Sequence, residues 1–239
     1  MDAQWFVTTP IAHRGLHGEN IPENSIAAFL AAQEAGYAIE LDVRLIKGGS
    51  IAVFHDETLA RMTGLNGFTS DLEATSLKNV PLFGAGQMIP LLESVFERIT
   101  APIYIDVKRS SESDYLLEKR LLALIRHFKP TVAVASFDPK TLIWFRQNAP
   151  DIPRGIISCS FKGEDRSAWQ KYRLRRLFDL RAVKPAFISY ELNSLPFWRV
   201  TIARKLHKIP VLAWTVKNEE DLQKAGKVAD NIVFEGFKP

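Results

Sequence analysis

The stretch IELDV at residues 39–43 alternates apolar and acidic side chains and decides the fold that the sequence predicts. Side chains alternate between the two faces of a β-strand, so Glu40 and Asp42 share one face while the apolar residues share the other. A second stretch, IYIDVK at residues 103–108, repeats the pattern and places Asp106 and a lysine on one face. The two stretches therefore predict two strands that carry three carboxylates.

These carboxylates indicate a metal site. Like charges this close raise the pKa of one of the acids unless a cation lies between them, and carboxylate oxygens suit magnesium, calcium and manganese. The alternative is that the acids are solvated on an exposed strand face, which a single Glu-x-Asp pair would favour. Three acids on two strands favour instead one divalent cation on Glu40, Asp42 and Asp106.

Strand and helix patterns alternate along the chain. Apolar runs predict eight strands, at residues 11–13, 38–45, 103–107, 132–136, 154–158, 187–190, 211–215 and 231–234. Helical periodicity predicts a first helix that Asn24 or Ser25 caps and Gly36 ends, and further helices at about 91–99, 114–128, 140–148, 165–178, 197–207 and 219–225. Repeated strand-helix units favour a parallel sheet, and eight units favour a closed barrel. The predicted fold is an α/β TIM (β/α)8-type barrel, with residues 1–239 forming one domain.

Residues 57–89 interrupt this regularity. An extended run at residues 51–54 leads to His55, and glycines and prolines then punctuate short fragments as far as Pro90. We predict a small lobe inserted after the second strand region. The alternative is a long active-site loop, which in a compact domain would itself suggest function.

The composition describes an ordinary globular protein, with 46% hydrophobic and 24% charged residues. The net charge of +4 favours an anionic substrate, whereas so small an excess without a recognition motif argues against nucleic acid. The N-terminus shows no secretory signal, no apolar run approaches the roughly 18 residues that span a bilayer, and Cys159 is the only cysteine. We therefore expect a cytoplasmic protein, and the sequence leaves its oligomeric state open.

Several motifs together resemble the glycerophosphodiester phosphodiesterase family. They are HRG at residues 13–15, PENS at 22–25 with Ala28 and Phe29, ELDV at 40–43, HD at 55–56 with Leu59 and Arg61 to Gly64, IDVK at 105–108, SF at 136–137 and WTV at 214–216. They keep the family order from residue 11 to about 233, so the resemblance covers nearly the whole chain. It implies a TIM barrel that hydrolyses glycerophosphodiesters to an alcohol and glycerol 3-phosphate. It also implies one divalent cation, Mg2+ or Ca2+, with Mn2+ as a third candidate.

The resemblance also implies roles for two histidines, and the chemistry of phosphoryl transfer suggests roles for two basic side chains. His13 and His55 match catalytic positions, and an imidazole exchanges its proton near neutral pH, so the pair can act as base and acid across one phosphorus. We prefer His55 as the acid. Arg14 and Lys108 would contact the phosphoryl oxygens, and the nucleophile is either water or a hydroxyl group of the substrate.

Phe137 and Trp214 would form, by the same resemblance, an apolar wall beside the glycerol or the leaving group. The alternative for both is an ordinary aromatic of the core. Among the other histidines, His17 lies in a glycine-flanked loop that could approach the substrate, whereas His127 and His207 are expected at the surface.

Two positions depart from the family pattern. Asp106 stands where the family usually has glutamate, which puts the placement and choice of the ion in question. Residues 231–237 replace the usual closing segment, and Glu235 is a candidate for its aspartate. The second departure bears on the choice of substrate more than on the reaction.

Residues 166–184 interleave basic and aromatic side chains. One interpretation is an outer helix with a solvated basic face, and the other is a patch that contacts anionic membrane lipid and would point to lysophospholipid substrates.

Two functional alternatives to a glycerophosphodiester phosphodiesterase also remain. One is a lipid-directed barrel phosphodiesterase of the lysophospholipase D or phospholipase C type, and the other is a catalytically silent glycerophosphate-binding protein.

Overall fold

The computed structural model describes residues 4–83, 86–109, 114–163 and 167–239, in two compact units, Ala12–Val132 and Met1–Ile11 with Ala133–Pro239. The strands are β1 Ile11–Ala12, β2 Ala38–Leu45, β3 Ile51–Val53, β4 Ile103–Val107, β5 Val132–Ser136, β6 Arg154–Ser158, β7 Phe187–Glu191, β8 Val211–Val216 and β9 Asn231–Phe234. The helices are α1 Trp5–Thr8, α2 Ile26–Glu34, α3 Ala60–Thr63, α4 Leu92–Arg98, α5 Leu116–Phe128, α6 Pro139–Asn148, α7 Ala168–Arg175, α8 Leu180–Val183, α9 Trp198–Lys205 and α10 Glu219–Val228. Within the described ranges, no helix combines the length and the apolar character needed to cross a bilayer.

In the unit Ala12–Val132, β2 pairs in parallel with β4 and antiparallel with β3. All of β4 and most of β2 are buried, as is typical of strands that are covered on both faces. Helix α2 begins where the Ser25 side chain accepts a hydrogen bond from the Ala28 backbone N–H, and it ends before Gly36, whose φ is +80°. The first predicted helix is therefore confirmed, with Ser25 as its cap.

The segment of residues 57–89 contains helix α3 and two 3-10 turns, Thr69–Asp71 and Leu77–Asn79. Gly84 and Ala85 lie outside the described residues. The segment packs against β3 and the residues around it through one apolar cluster, formed by Ile46, Ala52, Phe54, Leu59, Leu77, Val80, Leu82 and Ile89. These short elements are thus held by a small core.

In the other unit, strands β5 to β9 pair in parallel, each with the next. Helices α6, α9 and α10 and the pair α7–α8 provide the crossovers that parallel strands require. The helix predicted at residues 165–178 is corrected to Ala168–Arg175, followed by the separate turn Leu180–Val183, and residues 164–166 lie outside the described part of the chain. Helix α1 was not predicted; Asn231 holds it by donating to the carbonyls of Phe6 and Thr9.

Close packing of β6 on β7 requires a glycine. Gly155 pairs with Phe187, and a Cβ atom at Gly155 would lie 2.0 Å from a carbon of the Phe187 ring. That ring is fully buried and lies against Phe6, with 4.8 Å between the ring centroids, so it has no room to withdraw. The absence of a side chain at Gly155 therefore sets the spacing in this part of the core.

We predict that Gly155→Ala destabilises the protein by about 1–3 kcal/mol, because the added methyl group overpacks a buried ring. Denaturant unfolding followed by circular dichroism measures the change. Gly226→Ala is the matched control, since Gly226 lies exposed on α10, where an added Cβ would meet no atom within 4 Å, and alanine there favours the helix. Equal stabilities of the two variants would contradict the packing argument.

Candidate active site

Three buried carboxylates lie together where β2 and β4 run side by side. The register places Asp42 opposite Asp106, and Glu40 lies two residues earlier on the same face of β2. Glu40, Asp42 and Asp106 are each at most 4% exposed, and one oxygen from each lies within 4.8 Å of the others. The structure therefore brings the three predicted metal ligands together and buries them, against the alternative of a solvated strand face.

Burial and neighbouring charges change the pKa values of all three carboxylates. Burial raises the pKa of Glu40 well above its usual range, with the neighbouring Asp42 carboxylate adding to the effect. Burial would raise the pKa of Asp42 as well, but Lys108 and other nearby cationic groups hold it well below its usual range. Burial also raises the pKa of Asp106. A further cation among the three acids would favour their charged forms.

Lys108 and Arg14 place positive charge directly beside the three carboxylates. The Lys108 ammonium lies 3.0 Å from one oxygen of Asp42 and 2.5 Å from one oxygen of Asp106. The Arg14 backbone N–H donates to Glu40 at 2.8 Å, and its guanidinium Nε lies 3.3 Å from Asp42. Both predicted phosphate-binding cations thus lie directly against the carboxylates.

The loop after β1 has the backbone shape that this contact needs. Arg14 has a φ of +55° and Gly15 a φ of +81°, both in the left-handed region. A side chain at Gly15 would also meet the backbone of Ala28 at 2.8 Å. Gly15 is therefore required both for its conformation and for the approach of the loop to α2.

Asn24 has a role that the sequence did not predict. Its side-chain amide donates to the Asp42 carboxylate at 2.9 Å, and its carbonyl oxygen accepts from the Asp42 backbone N–H at 3.2 Å. One hydrogen bond holds the Asp42 carboxylate and the other holds the Asp42 backbone, and helix capping is left to Ser25. Asn24 therefore orients a predicted metal ligand.

His55 is held by its neighbour. Its Nδ1 lies 2.6 Å from the Asp56 carboxylate, and its side chain is about one-third exposed. Burial lowers the pKa of His55, while the Asp42 charge and the Asp56 hydrogen bond act in the opposite direction. The bond to Asp56 leaves Nε2 as the ring atom that can exchange a proton with a substrate. His13 follows β1 in the same unit and is partly buried.

Arg61 links the residues beside His55 to the residues beside Arg14. Its guanidinium contacts Asp56 at 2.6 Å through Nε and Glu23 at 2.6 Å through Nη2. Glu23 in turn accepts from Arg14 at 2.8 Å. A continuous chain of charged groups therefore runs from His55 through Asp56, Arg61 and Glu23 to Arg14. The motif residues Glu23, Asp56 and Arg61 were visible in the sequence, but nothing in their spacing indicated this connection.

The two predicted aromatic contacts lie in the other unit. The rings of Phe137 and Trp214 meet edge to face, with 5.8 Å between their centroids, and Phe161 packs on Phe137 at 6.1 Å. Phe137 and Trp214 are half-buried, so they are not sealed core aromatics. Phe161 was not predicted as a partner.

For the other histidines and Glu235, the structure gives the exposure and one ion pair. His127 and His207 are exposed, as predicted, and His17 is partly buried. Glu235 follows β9 and lies 3.9 Å from the Lys217 ammonium. Glu235 therefore forms an ion pair with Lys217, which follows β8.

The donor set fits a hard divalent cation. All three candidate ligands are carboxylates, and hard ions prefer oxygen. One oxygen of Asp106 is buried without a hydrogen-bond partner among the described residues, which a buried acceptor rarely tolerates. A cation beside it would satisfy that oxygen and compensate the surplus negative charge.

Comparison with known proteins places this chain in a family. The sequence profile of the glycerophosphoryl diester phosphodiesterase family matches residues 13–232. A glycerophosphodiester phosphodiesterase from Caldanaerobacter subterraneus subsp. tengcongensis is 31% identical over 240 residues, covering 95% of this chain and 93% of that protein. Human lysophospholipase D GDPD1 is 35% identical over 139 residues, covering 52% of this chain and 43% of that protein.

Solved structures show the fold. An Oleispira antarctica phosphodiesterase, determined in complex with the product sn-glycerol-3-phosphate, superposes with a TM-score of 0.82 at 23% identity, covering 98% of this chain and 95% of that one. A Silicibacter pomeroyi protein described as a glycerophosphoryl diester phosphodiesterase superposes with a TM-score of 0.79 at 20% identity, covering 97% and 93%. The TIM-barrel fold predicted from the sequence is confirmed.

We predict that Arg61→Gln lowers the free energy of unfolding by about 1 kcal/mol at neutral pH, because two carboxylates lose their shared cation. The ion pairs hold the pKa values of Glu23 and Asp56 below their usual range. That stabilisation is present above the unfolded pKa values and is lost as the pH falls through the folded ones, so the deficit should shrink in acid. Denaturant unfolding at neutral and acidic pH measures it.

Lys47→Gln is the control for this prediction. Lys47 pairs with Glu73 at 2.8 Å, but both side chains are more than half exposed, so its loss should leave stability unchanged. A deficit for Arg61→Gln that is the same at both pH values would contradict the electrostatic account.

Proposed function

The chain belongs to the glycerophosphoryl diester phosphodiesterase family and has that enzyme class, and we propose that it cleaves its substrates with one divalent cation and two histidines. The observation that carries this proposal is the buried cluster of Glu40, Asp42 and Asp106, whose ligand atoms lie within 4.8 Å. Burying like charges is costly unless a cation compensates them. The products would be an alcohol and glycerol 3-phosphate.

The three carboxylates would hold the cation, as Mg2+, Ca2+ or Mn2+. When bound, such an ion neutralises charge on a phosphoryl oxygen and orients the attacking group. Asn24 would keep the Asp42 carboxylate in place by donating a hydrogen bond to it, while the Asn24 carbonyl oxygen accepts one from the Asp42 backbone N–H. This support resembles the hydrogen bonds that usually orient metal ligands.

Arg14 would bind the phosphoryl group beside the cation. A guanidinium has five N–H donors, and Glu23 takes one of them while Asp42 lies near another. The remaining donors can contact phosphate oxygens in a planar fork. Lys108 would add a point charge while it stays paired with Asp42 and Asp106.

The two histidines would move the protons. With Nδ1 bonded to Asp56, His55 can donate from Nε2 to the oxygen of the leaving alcohol, and His13 would take the proton of the nucleophile. Asp56 then orients the acid and stabilises its charged form. Phe137 and Trp214 remain predicted substrate contacts, supported by their half-exposed, mutually packed rings.

A lysophospholipid is the second candidate substrate. The observation that favours it is the 35% identity with human lysophospholipase D GDPD1 over 139 residues. A lysophospholipid carries the same glycerophosphodiester group with an added acyl chain, so the same carboxylates and histidines would serve. A silent binding protein is disfavoured, since binding alone has no use for a proton donor held by Asp56.

We predict that the protein releases glycerol 3-phosphate from a panel of glycerophosphodiesters, and that a chelator abolishes the release. His13→Ala and His55→Ala should each lower kcat by about 10²- to 10⁴-fold, because each removes a proton-transfer group. Glu40→Gln should weaken metal binding, measured by calorimetric titration with Mg2+, Ca2+ and Mn2+. Glu73→Gln, which changes an exposed carboxylate, is the control that should keep full activity.

Three outcomes of that assay would decide against the proposal. Activity that survives the chelator would contradict the cation. With lysophospholipids added to the panel, release of lysophosphatidic acid from them without glycerol 3-phosphate from the other substrates would move the assignment to a lipid-directed phosphodiesterase, and release of free fatty acid would indicate an acyl-ester hydrolase.

We predict that Asp56→Asn shifts one limb of the pH profile of kcat to lower pH. The hydrogen bond to the Asp56 carboxylate raises the pKa of His55, and a neutral amide in its place stabilises the imidazolium less, so that pKa falls further. If His55 is the acid, activity falls as pH rises through its pKa, and this high-pH limb moves down. Movement of the low-pH limb instead would identify His55 as the base.

Glu57→Gln controls for a general loss of charge in this loop. Glu57 is exposed and contacts Arg44, at 3.7 Å, so its removal should leave both limbs in place. An Asp56→Asn profile identical to that of the wild type would contradict a catalytic role for His55.

A further inference from the structure

A surface of unusual composition lies on helices α7 and α9 and the residues that follow α7. Trp169 is 67% exposed and Trp198 is 55% exposed, and Tyr172 and Phe178 are exposed as well. Large aromatic side chains are rarely exposed together on a monomeric protein without a partner. We call Trp169, Tyr172, Phe178, Trp198, Arg176 and Arg199 the aromatic–basic surface.

The members of this surface form one contiguous patch. Trp169 stacks on Tyr172 with 5.7 Å between the centroids, and Tyr172 contacts Phe178 at 5.8 Å. The Arg199 guanidinium lies 4.7 Å from the centroid of Phe178 and 5.3 Å from that of Trp198. Arg199 thereby joins Phe178, and through it the aromatics of α7, to Trp198 on α9.

The charge of the patch has one sign. Residues 167–184 contain six lysines and arginines and one acid, Asp179, which is buried and paired with Arg173. Residues 197–210 contain no acid. Arg176 stacks over Tyr172 at 4.4 Å, so its charge lies on the aromatic face. The surface therefore attracts an anionic partner that also has an apolar part.

A groove of about 740 Å³ opens within the same surface. Its walls combine the apolar rings of Phe178 and Trp198 with the cationic side chains of Arg181, Lys184 and Arg199. This volume falls in the range of ligand sites, and the lining suits a phosphate group joined to a glycerol or an acyl chain.

We propose that the aromatic–basic surface docks the protein on a membrane that contains anionic phospholipid. Tryptophan and tyrosine favour the boundary between headgroups and acyl chains, and arginine adds attraction to the anionic headgroups. The Leu206 side chain, 72% exposed just after α9, extends the apolar contact. The inference concerns binding and stands apart from the proposed reaction.

Sedimentation with vesicles tests the docking directly. The chain of residues 1–239 should bind vesicles of equal parts phosphatidylcholine and phosphatidylglycerol about tenfold more tightly than vesicles of phosphatidylcholine alone. The difference should shrink in high salt, because ions screen the attraction. The emission of Trp169 and Trp198 should shift to shorter wavelength on binding.

Two variants with the same net charge test whether vesicle binding depends on this surface or only on the net charge of the protein. Arg176→Glu with Arg199→Glu should lower the affinity for the anionic vesicles by about tenfold or more. Lys78→Glu with Lys140→Glu, which reverses two exposed lysines outside the surface, should lower it far less. Trp169→Ser with Trp198→Ser should abolish the spectral shift, and circular dichroism checks that all variants are folded.

Three outcomes would overturn the proposal. One is equal binding to neutral and anionic vesicles, and another is an equal loss of affinity in the two charge-reversed variants. The third is binding of a duplex RNA by this surface without binding of vesicles, which would assign it to nucleic acid.

Discussion

Burial of three carboxylates side by side is the constraint on which the architecture of this site depends. Charges of one sign in a low-dielectric interior repel strongly, and each has also lost its hydration. Arg14 and Lys108 offset part of that cost, and Asn24 satisfies the Asp42 oxygen with an amide. Two of these groups, Arg14 and Asn24, lie at left-handed backbone positions, with φ of +55° and +54°. The turn after β1 therefore adopts a left-handed conformation at Arg14, and glycine follows it where α2 approaches.

The irregular segment that follows β3 supports the charged groups of the site. Arg61 lies on α3, and its guanidinium bridges Asp56 and Glu23. A long arginine side chain loses rotamer entropy when it is fixed, so an anchored backbone makes the bridge more favourable. The small apolar cluster around Leu59 and Leu77 provides that anchor. The segment thus helps to hold His55 and Arg14 in place. It packs around a small apolar core, although its sequence shows no regular period.

The proposed reaction and the proposed membrane docking involve different parts of the fold. The carboxylates and their cations lie on strands or at strand ends, where packing holds them rigidly and where barrel enzymes place reacting groups. The aromatic–basic surface lies on outer helices, where side chains can vary without disturbing the strands. A family can therefore keep one reaction while its members differ in the surfaces to which they bind.

Local patterns in the sequence determined the strands, most of the helices and the identities of the acids and histidines. Alternation along IELDV at residues 39–43 is a local property, and so is the periodicity of each helix. Only the tertiary structure decided that Asp42 lies opposite Asp106, and that Arg61 reaches Glu23 across 38 residues of chain. It also decided that Asn24 binds a carboxylate and that the basic helix ends at Arg175. The reason is that strand register, burial and ion pairing depend on groups distant in the chain, and local patterns do not encode which of those groups will meet.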